Sequence, residues 1–233
     1  MRTTGETAPG KRVLAVSAHP ADFCSRAGGT LIQCVRAGCA VKVIWLSHGE
    51  TDESDLLYKQ RPGISIEEVR RVREREAFAC VEAIGAEGCM LGFGDNPLHM
   101  TAERIERLAA EIAAFKPAMV LTHWKDERNY ASHWITARSV IQASQIAHVP
   151  WDIRFFEPTI GTATRTGFVP DYYVDITDVL EPKIEAIQKL ETQPHLVEYY
   201  TTCARWRGLE AGCRYAEAFA RWAPKAVLSG AAD

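Results

Sequence analysis

Histidines and carboxylates recur in this 233-residue chain at places where a polar loop follows an apolar run. His19 and Asp22 stand three apart. His48, Glu50, Asp52 and Glu53 fall in a second loop, Asp95 in a third, and His123, Asp126, Asn129 and His133 in a fourth. Imidazoles and carboxylates are the donors of catalytic zinc sites, which take three protein ligands and leave one position open. The spacing of His19 and Asp22 lets both side chains aim at one ion. His133, at the start of a predicted helix, is placed to supply a third ligand. By itself His-x-x-Asp is a weak pattern, so spacing alone leaves a metal site and an ordinary polar loop as alternatives.

These loops need a scaffold. Short apolar runs at residues 12–18, 41–47, 89–92, 118–122, 155–158 and 172–176 read as strands, the first suited to burial in a parallel sheet. Helical patterns cover residues 25–37, 65–84, 101–115, 132–147, 183–192 and 195–220. The second is marked by a capping box, Ser65 with Glu68, and a stop at Gly85; the third has Thr101 as its N-cap. Residues 48–64 read as a long loop. Alternating strands and helices predict an α/β, Rossmann-like fold with a mainly parallel sheet and helices on both faces. In such sheets ligands bind beyond the C-terminal strand ends, where all four polar loops fall. One domain over residues 1–233 is expected, with residues 1–11 as a flexible tail.

A net charge of −3 gives no reason to expect nucleic acid, and no apolar run approaches the ~20 residues that span a bilayer. The polar N-terminus lacks a signal-type stretch, so a cytoplasmic setting is the default. The seven cysteines are odd in number, contain no Cys-x-x-Cys pair, and read as reduced, mostly buried thiols. Trp124, Trp134, Trp151, Trp206 and Trp222 include candidates for a homo-oligomer interface, with core packing the expectation for most of them.

Val16-Ser-Ala-His-Pro-Ala-Asp-Phe23, followed by Gly28-Gly29, resembles the opening motif of the LmbE-like, or PIG-L, family of zinc-dependent N-deacetylases. Thr122-His123 through Ser132-His133 resembles the family's second marker. Tyr173 to Thr177, Lys183 and Thr192-Gln193 resemble its third. The resemblance implies the metal ligands His19, Asp22 and His133. It departs at one telling place: the family's first motif Asp, taken to be the general base, is Ala21 here, and its Glu is Phe23.

A closer resemblance is to the 4-oxalomesaconate hydratase branch, which also has Ala at that position. It is carried by Ser17 to His19, Ala21 to Phe23, Arg26 to Gly29, Leu46-Ser47, Gly49-Glu50, Glu53-Ser54, Glu76-Ala77, Phe156 to Pro158 and Glu198 to Tyr200. That branch implies a metal-dependent hydro-lyase adding water to the carbon–carbon double bond of an oxo-tricarboxylate in aromatic-acid degradation. The alternative is a zinc-dependent N-deacetylase of an N-acetylglucosaminyl-type substrate with a displaced base; a non-catalytic binding protein ranks last. With Ala21 unable to take a proton, Glu50 and Glu53 are the available bases, Glu53 favoured because Glu-Ser matches the branch. His123 is expected to donate to substrate or to support the metal, and Asp126 to orient a histidine. A polycarboxylate substrate calls for arginines, whose fork matches a carboxylate. Arg26 and Arg128 are preferred, with Arg73 and Asn129 also expected to bind substrate, and Arg70, Arg71 and Arg75 expected as surface charges.

Overall fold

The computed structural model describes residues 9–149, 152–159 and 161–222. Residues 1–8 of the expected tail and Trp151 lie outside them. Strand β1 (Arg12–Ser17) leads into helix α1 (Asp22–Arg36), then β2 (Ala40–Trp45), a short α2 (Asp55–Gln60) and α3 (Ile66–Ile84). Next come β3 (Glu87–Met90), α4 (Ala102–Phe115), β4 (Met119–Thr122), α5 (Ala131–Ile146), β5 (Ile153–Phe156) and α6 (Ala163–Thr166). The described residues end with β6 (Tyr172–Asp175), α7 (Leu180–Ile187), α8 (Leu196–Ala211) and β7 (Ala216–Arg221).

The strands form one sheet in the order β3-β2-β1-β4-β5-β7-β6, in which β3 through β5 pair in parallel and β7 runs antiparallel to both its neighbours. Alternate residues of the central strands enter different cores. Val13, Ala15, Val41, Val43 and Trp45 pack with residues of α1, α3, α7 and α8. Leu14, Val16, Ile44, Leu46 and Val120 pack with α4 and α5. Burial on both faces explains why these strands are continuous apolar runs, and the expected architecture is the one observed.

Local signals act as expected at two helix starts. Ser65 Oγ accepts the Glu68 N–H (3.2 Å), and Thr101 Oγ1 accepts that of Arg104 (3.4 Å). Gly85 ends α3 in a left-handed conformation (φ 82°).

Three expectations are corrected. The helix over 195–220 stops at Ala211, where Gly212 turns left-handed (φ 74°), and Ala216–Arg221 is the strand that joins β5 to β6. The supposed loop 48–64 contains α2, anchored by buried Leu57. Helix α7 begins at Leu180 and ends at Ile187, ahead of the expected 183–192. At the other end, Gly10 donates its N–H to the Gly38 carbonyl (3.1 Å).

Helix α1 carries a device that fixes it against β7. Glu217 accepts the N–H groups of Gly29 (2.8 Å) and Thr30 (2.7 Å), the Thr30 hydroxyl (2.6 Å) and the Lys183 ammonium (2.8 Å). Gly29 lies so close to Ile176 that a Cβ there would sit 2.7 Å from its Cγ2. The strand missed in the sequence therefore anchors the helix whose first turn carries Asp22.

Candidate metal centre

The first polar loop folds tightly on itself. The His19 backbone N–H donates to Asp22 Oδ2 (2.9 Å), which holds two side chains three residues apart on one point. His133, near the start of α5, brings Nε2 to 3.3 Å from His19 Nδ1 and 3.4 Å from Asp22 Oδ1. Glu53 arrives from the loop after β2, with Oε1 3.3 Å from His19 Nδ1. The cluster lies beyond the C-terminal ends of β1 and β4, where strand order reverses, which is the crevice that open α/β sheets use for ligands.

The residues fit a divalent metal. A tetrahedral zinc site with bonds of about 2.0–2.2 Å has donor atoms about 3.3–3.6 Å apart. The measured separations from His19 Nδ1 to Glu53 (3.3 Å), His133 (3.3 Å) and Asp22 (3.5 Å), and from His133 to Asp22 (3.4 Å), fall in that range. His19, Asp22, Glu53 and His133 thus form a group whose donor atoms lie close enough together to hold a metal ion; with His19, Asp22 and His133 as its three ligands, Glu53 would border the open fourth position.

Carboxylates lie behind both imidazoles. His19 Nε2 lies 2.8 Å from Asp95 Oδ1, so Nδ1 is the nitrogen that faces the cluster. Asp95 is fixed by the Thr51 hydroxyl and by the backbone N–H groups of Thr51 and Asp52. Burial favours its neutral form, but His19 and these N–H groups outweigh burial and hold its pKa well below the usual carboxylate value. On the other imidazole, Glu127 Oε2 lies 3.7 Å from His133 Nδ1 and accepts the Thr159 N–H. Asp126, expected to orient a histidine, faces Lys125 and Arg138 at the surface instead.

Charge around the cluster favours a cation. Burial, then the adjacent His123, push the His133 pKa well below that of free imidazole, so it presents a neutral ring. Burial would raise the Asp22 pKa, yet His133 and His123 drive it well below the usual carboxylate range. A neutral His133 and an ionised Asp22 are the protonation states that metal binding requires. Burial would lower the His19 pKa, yet Glu53, Asp22 and Asp95 raise it well above that of free imidazole, so His19 must give up a proton to bind.

We expect Asp95→Asn to weaken metal affinity about 10–100-fold, the usual cost of losing an outer carboxylate partner. Titration of the metal-free protein with a competing chelator measures it; unchanged affinity would show that Asp95 does not orient His19.

The other expected site residues separate into two groups. His123 is buried behind the cluster: Nε2 accepts the Ala18 N–H (2.9 Å), lies 3.3 Å from Asp22 Oδ2, and the ring stacks on His133 at 4.1 Å. Glu50 is not part of the donor group, and Arg70 of α3 binds its Oε1 (2.7 Å). Arg26 is buried and directs its nitrogens to the Glu157 carbonyl (2.7 Å), Thr159 Oγ1 (3.2 Å) and Asp22 Oδ1 (3.4 Å). Arg73 is fully buried and donates to the His48 carbonyl, Glu53, Glu76, Thr192 and Gln193. Neither arginine has the free fork that substrate binding needs; both hold the site together. Arg128 and Asn129 are exposed in the loop after β4. Arg128 lines an open pocket of about 360 Å³ with Lys125, Trp134 and Arg138.

A Rossmann-like sheet with an imidazole–carboxylate cluster in its crevice defines an α/β protein with a candidate metal site. The chain belongs to the PIG-L family, described as GlcNAc-PI de-N-acetylase, whose pattern matches residues 14–144. It is 36% identical to a 4-oxalmesaconate hydratase of Pseudomonas putida, over 87% of this chain and 82% of that protein. Identity to a diacetylchitobiose deacetylase of Thermococcus kodakarensis is 28%, over 89% and 81%. Among solved structures, GalB, the 4-carboxy-2-hydroxymuconate hydratase of Pseudomonas putida, superposes with a TM-score of 0.88 at 30% identity, covering 92% of this chain and 97% of that one. The family and the hydratase likeness read from the motifs are borne out, and the chain is an enzyme of this family.

Proposed function

We propose that the chain is a zinc-dependent hydro-lyase that adds water to the carbon–carbon double bond of an oxo-tricarboxylate of the 4-oxalomesaconate type, in aromatic-acid breakdown. The observation that carries the reading is the pairing of Ala21 with Glu53. Ala21 is buried and carries no acid or base, while Glu53 brings a carboxylate oxygen to 3.3 Å of His19 Nδ1. The likeness to hydratases supports the same reading.

His19, Asp22 and His133 would hold the metal. When bound, it supplies positive charge to the oxyanion that builds up as water adds to a double bond conjugated with a carbonyl. Glu53 takes the proton from the attacking water at Oε1 and returns it to the carbon at the other end of the former double bond. Hydrogen and hydroxyl then both end on the substrate, and the carboxylate is regenerated. His123 holds Asp22 and His133 in place. Arg128 and Asn129, exposed in the loop after β4, are the groups left to meet substrate carboxylates and carbonyls.

All seven cysteines are free thiols, in keeping with a reducing, cytoplasmic setting. Among the described residues no helix is long and apolar enough to cross a membrane. A homo-oligomer would draw on the exposed Tyr199, Trp206 and Leu209 of α8. Trp124, by contrast, donates its indole N–H to the Thr166 carbonyl and packs on Phe155 and Phe168.

Ala21→Asp separates this reading from a deacetylase with a displaced base. It should depress hydration of 4-oxalomesaconate and leave acetate release from N-acetylglucosaminides at background. A gain in acetate release would return the chain to the family's amide-cleaving chemistry.

A further inference from the structure

Arg73 has no exposed surface, yet it reaches from the middle of α3 to two other segments of the chain. Its NH2 donates to Glu53 Oε2 (3.0 Å) and Gln193 Oε1 (2.7 Å). Its NH1 donates to Glu76 Oε2 (2.8 Å) and Thr192 Oγ1 (2.7 Å), and its Nε to the His48 carbonyl (3.4 Å). Glu76 fixes the far side of this network by accepting both the backbone N–H (2.8 Å) and the hydroxyl (2.7 Å) of Thr192. The guanidinium therefore joins the loop carrying Glu53 to the connection between α7 and α8.

Glu53 needs such an anchor. It sits on a loop, its side chain is partly open to solvent at 12%, and glutamate has several rotatable bonds. With Oε2 fixed by Arg73, Oε1 is the oxygen left to face His19. Burying an arginine is costly unless each N–H finds an acceptor, and here the acceptors come from three segments that are far apart in sequence.

We infer that Arg73 is the positioning residue of Glu53, and that Thr192 and Gln193 at the α7–α8 connection set its aim. This rests on the reading of Glu53 as the base. Arg73 touches no substrate and acts through the carboxylate it holds. Misplacing a reacting group by about 1 Å costs about 10²-fold in rate.

The test is a double-mutant cycle on the zinc-loaded protein with 4-oxalomesaconate, accompanied by a crystal structure of each variant. Arg73→Gln should lower kcat about 10²-fold with KM changed only a few-fold. In a Glu53→Gln background the same change should cost less than about twofold, because the two residues act as one unit. The crystal structure of Arg73→Gln should show Glu53 Oε1 withdrawn from His19. Gln193→Leu, a milder change should Arg73→Gln fail to fold, is expected to give a smaller loss of kcat of the same non-additive kind. Equal losses in both backgrounds, or a Glu53 that stays in place without Arg73, would overturn the inference. Absence of hydration by the wild type would instead sink the proposed reaction, and the position of Glu53 in the variant structure would still decide the role of Arg73.

Discussion

Glu53→Gln in the zinc-loaded protein is expected to lower kcat for hydration by about 10²–10⁴-fold, the contribution typical of a positioned general base. The substitution keeps the shape of the side chain and an oxygen for Arg73, and removes the capacity to accept a proton. Glu53 is the carboxylate that reaches the donor group from the loop after β2, whereas Glu50, three residues earlier, is held by Arg70. Glu50→Gln should therefore leave kcat within a few-fold of the wild type. Steady-state rates of the two variants, each with its metal content measured, separate these outcomes. A Glu53→Gln enzyme with wild-type kcat would require a base from another loop.

His133→Ala should remove the metal rather than the proton chemistry. His133 is buried and meets both His19 and Asp22, while the ring of His123 stacks on it. Without its Nε2 the group loses a donor outright, so affinity should fall by more than the about 10–100-fold that an outer partner is worth. Elemental analysis after dialysis should find metal in the wild type and in Glu53→Gln, and only a small fraction of it in His133→Ala. Full metal content in His133→Ala would move the site elsewhere, and His19 with Asp52 and Asp95 is the other such group among the described residues.

The central sheet was readable because its strands are buried on both faces, which makes them unbroken apolar runs. Strand β7 was not, because Ala216 to Arg221 favours helix by local propensity and becomes a strand only through pairing with β5 and β6. Helix α2 is six residues long and buries one leucine, too little for a periodic signal.

The donor group was readable for a related reason: His19, Asp22 and His133 follow strands or open a helix, and their residue types restrict what they do. Side-chain direction was less readable. Asp126 and Glu127 are neighbours in one loop, yet the first points to solvent and the second to His133. Arg26 and Arg73 stand near the site in sequence as any substrate-binding arginine would. Only the acceptors brought by Glu157, Thr159, Thr192 and Gln193 from distant parts of the chain reveal that both are held within the protein.

The most direct test of the account is the ultraviolet progress curve of 4-oxalomesaconate with purified protein, before and after removal of metal by a chelator and after readdition of zinc. The account predicts loss of the conjugated absorbance with the zinc-loaded protein, its abolition by the chelator and its return with zinc. An absorbance that stays constant with zinc and with every other divalent metal tried would contradict it.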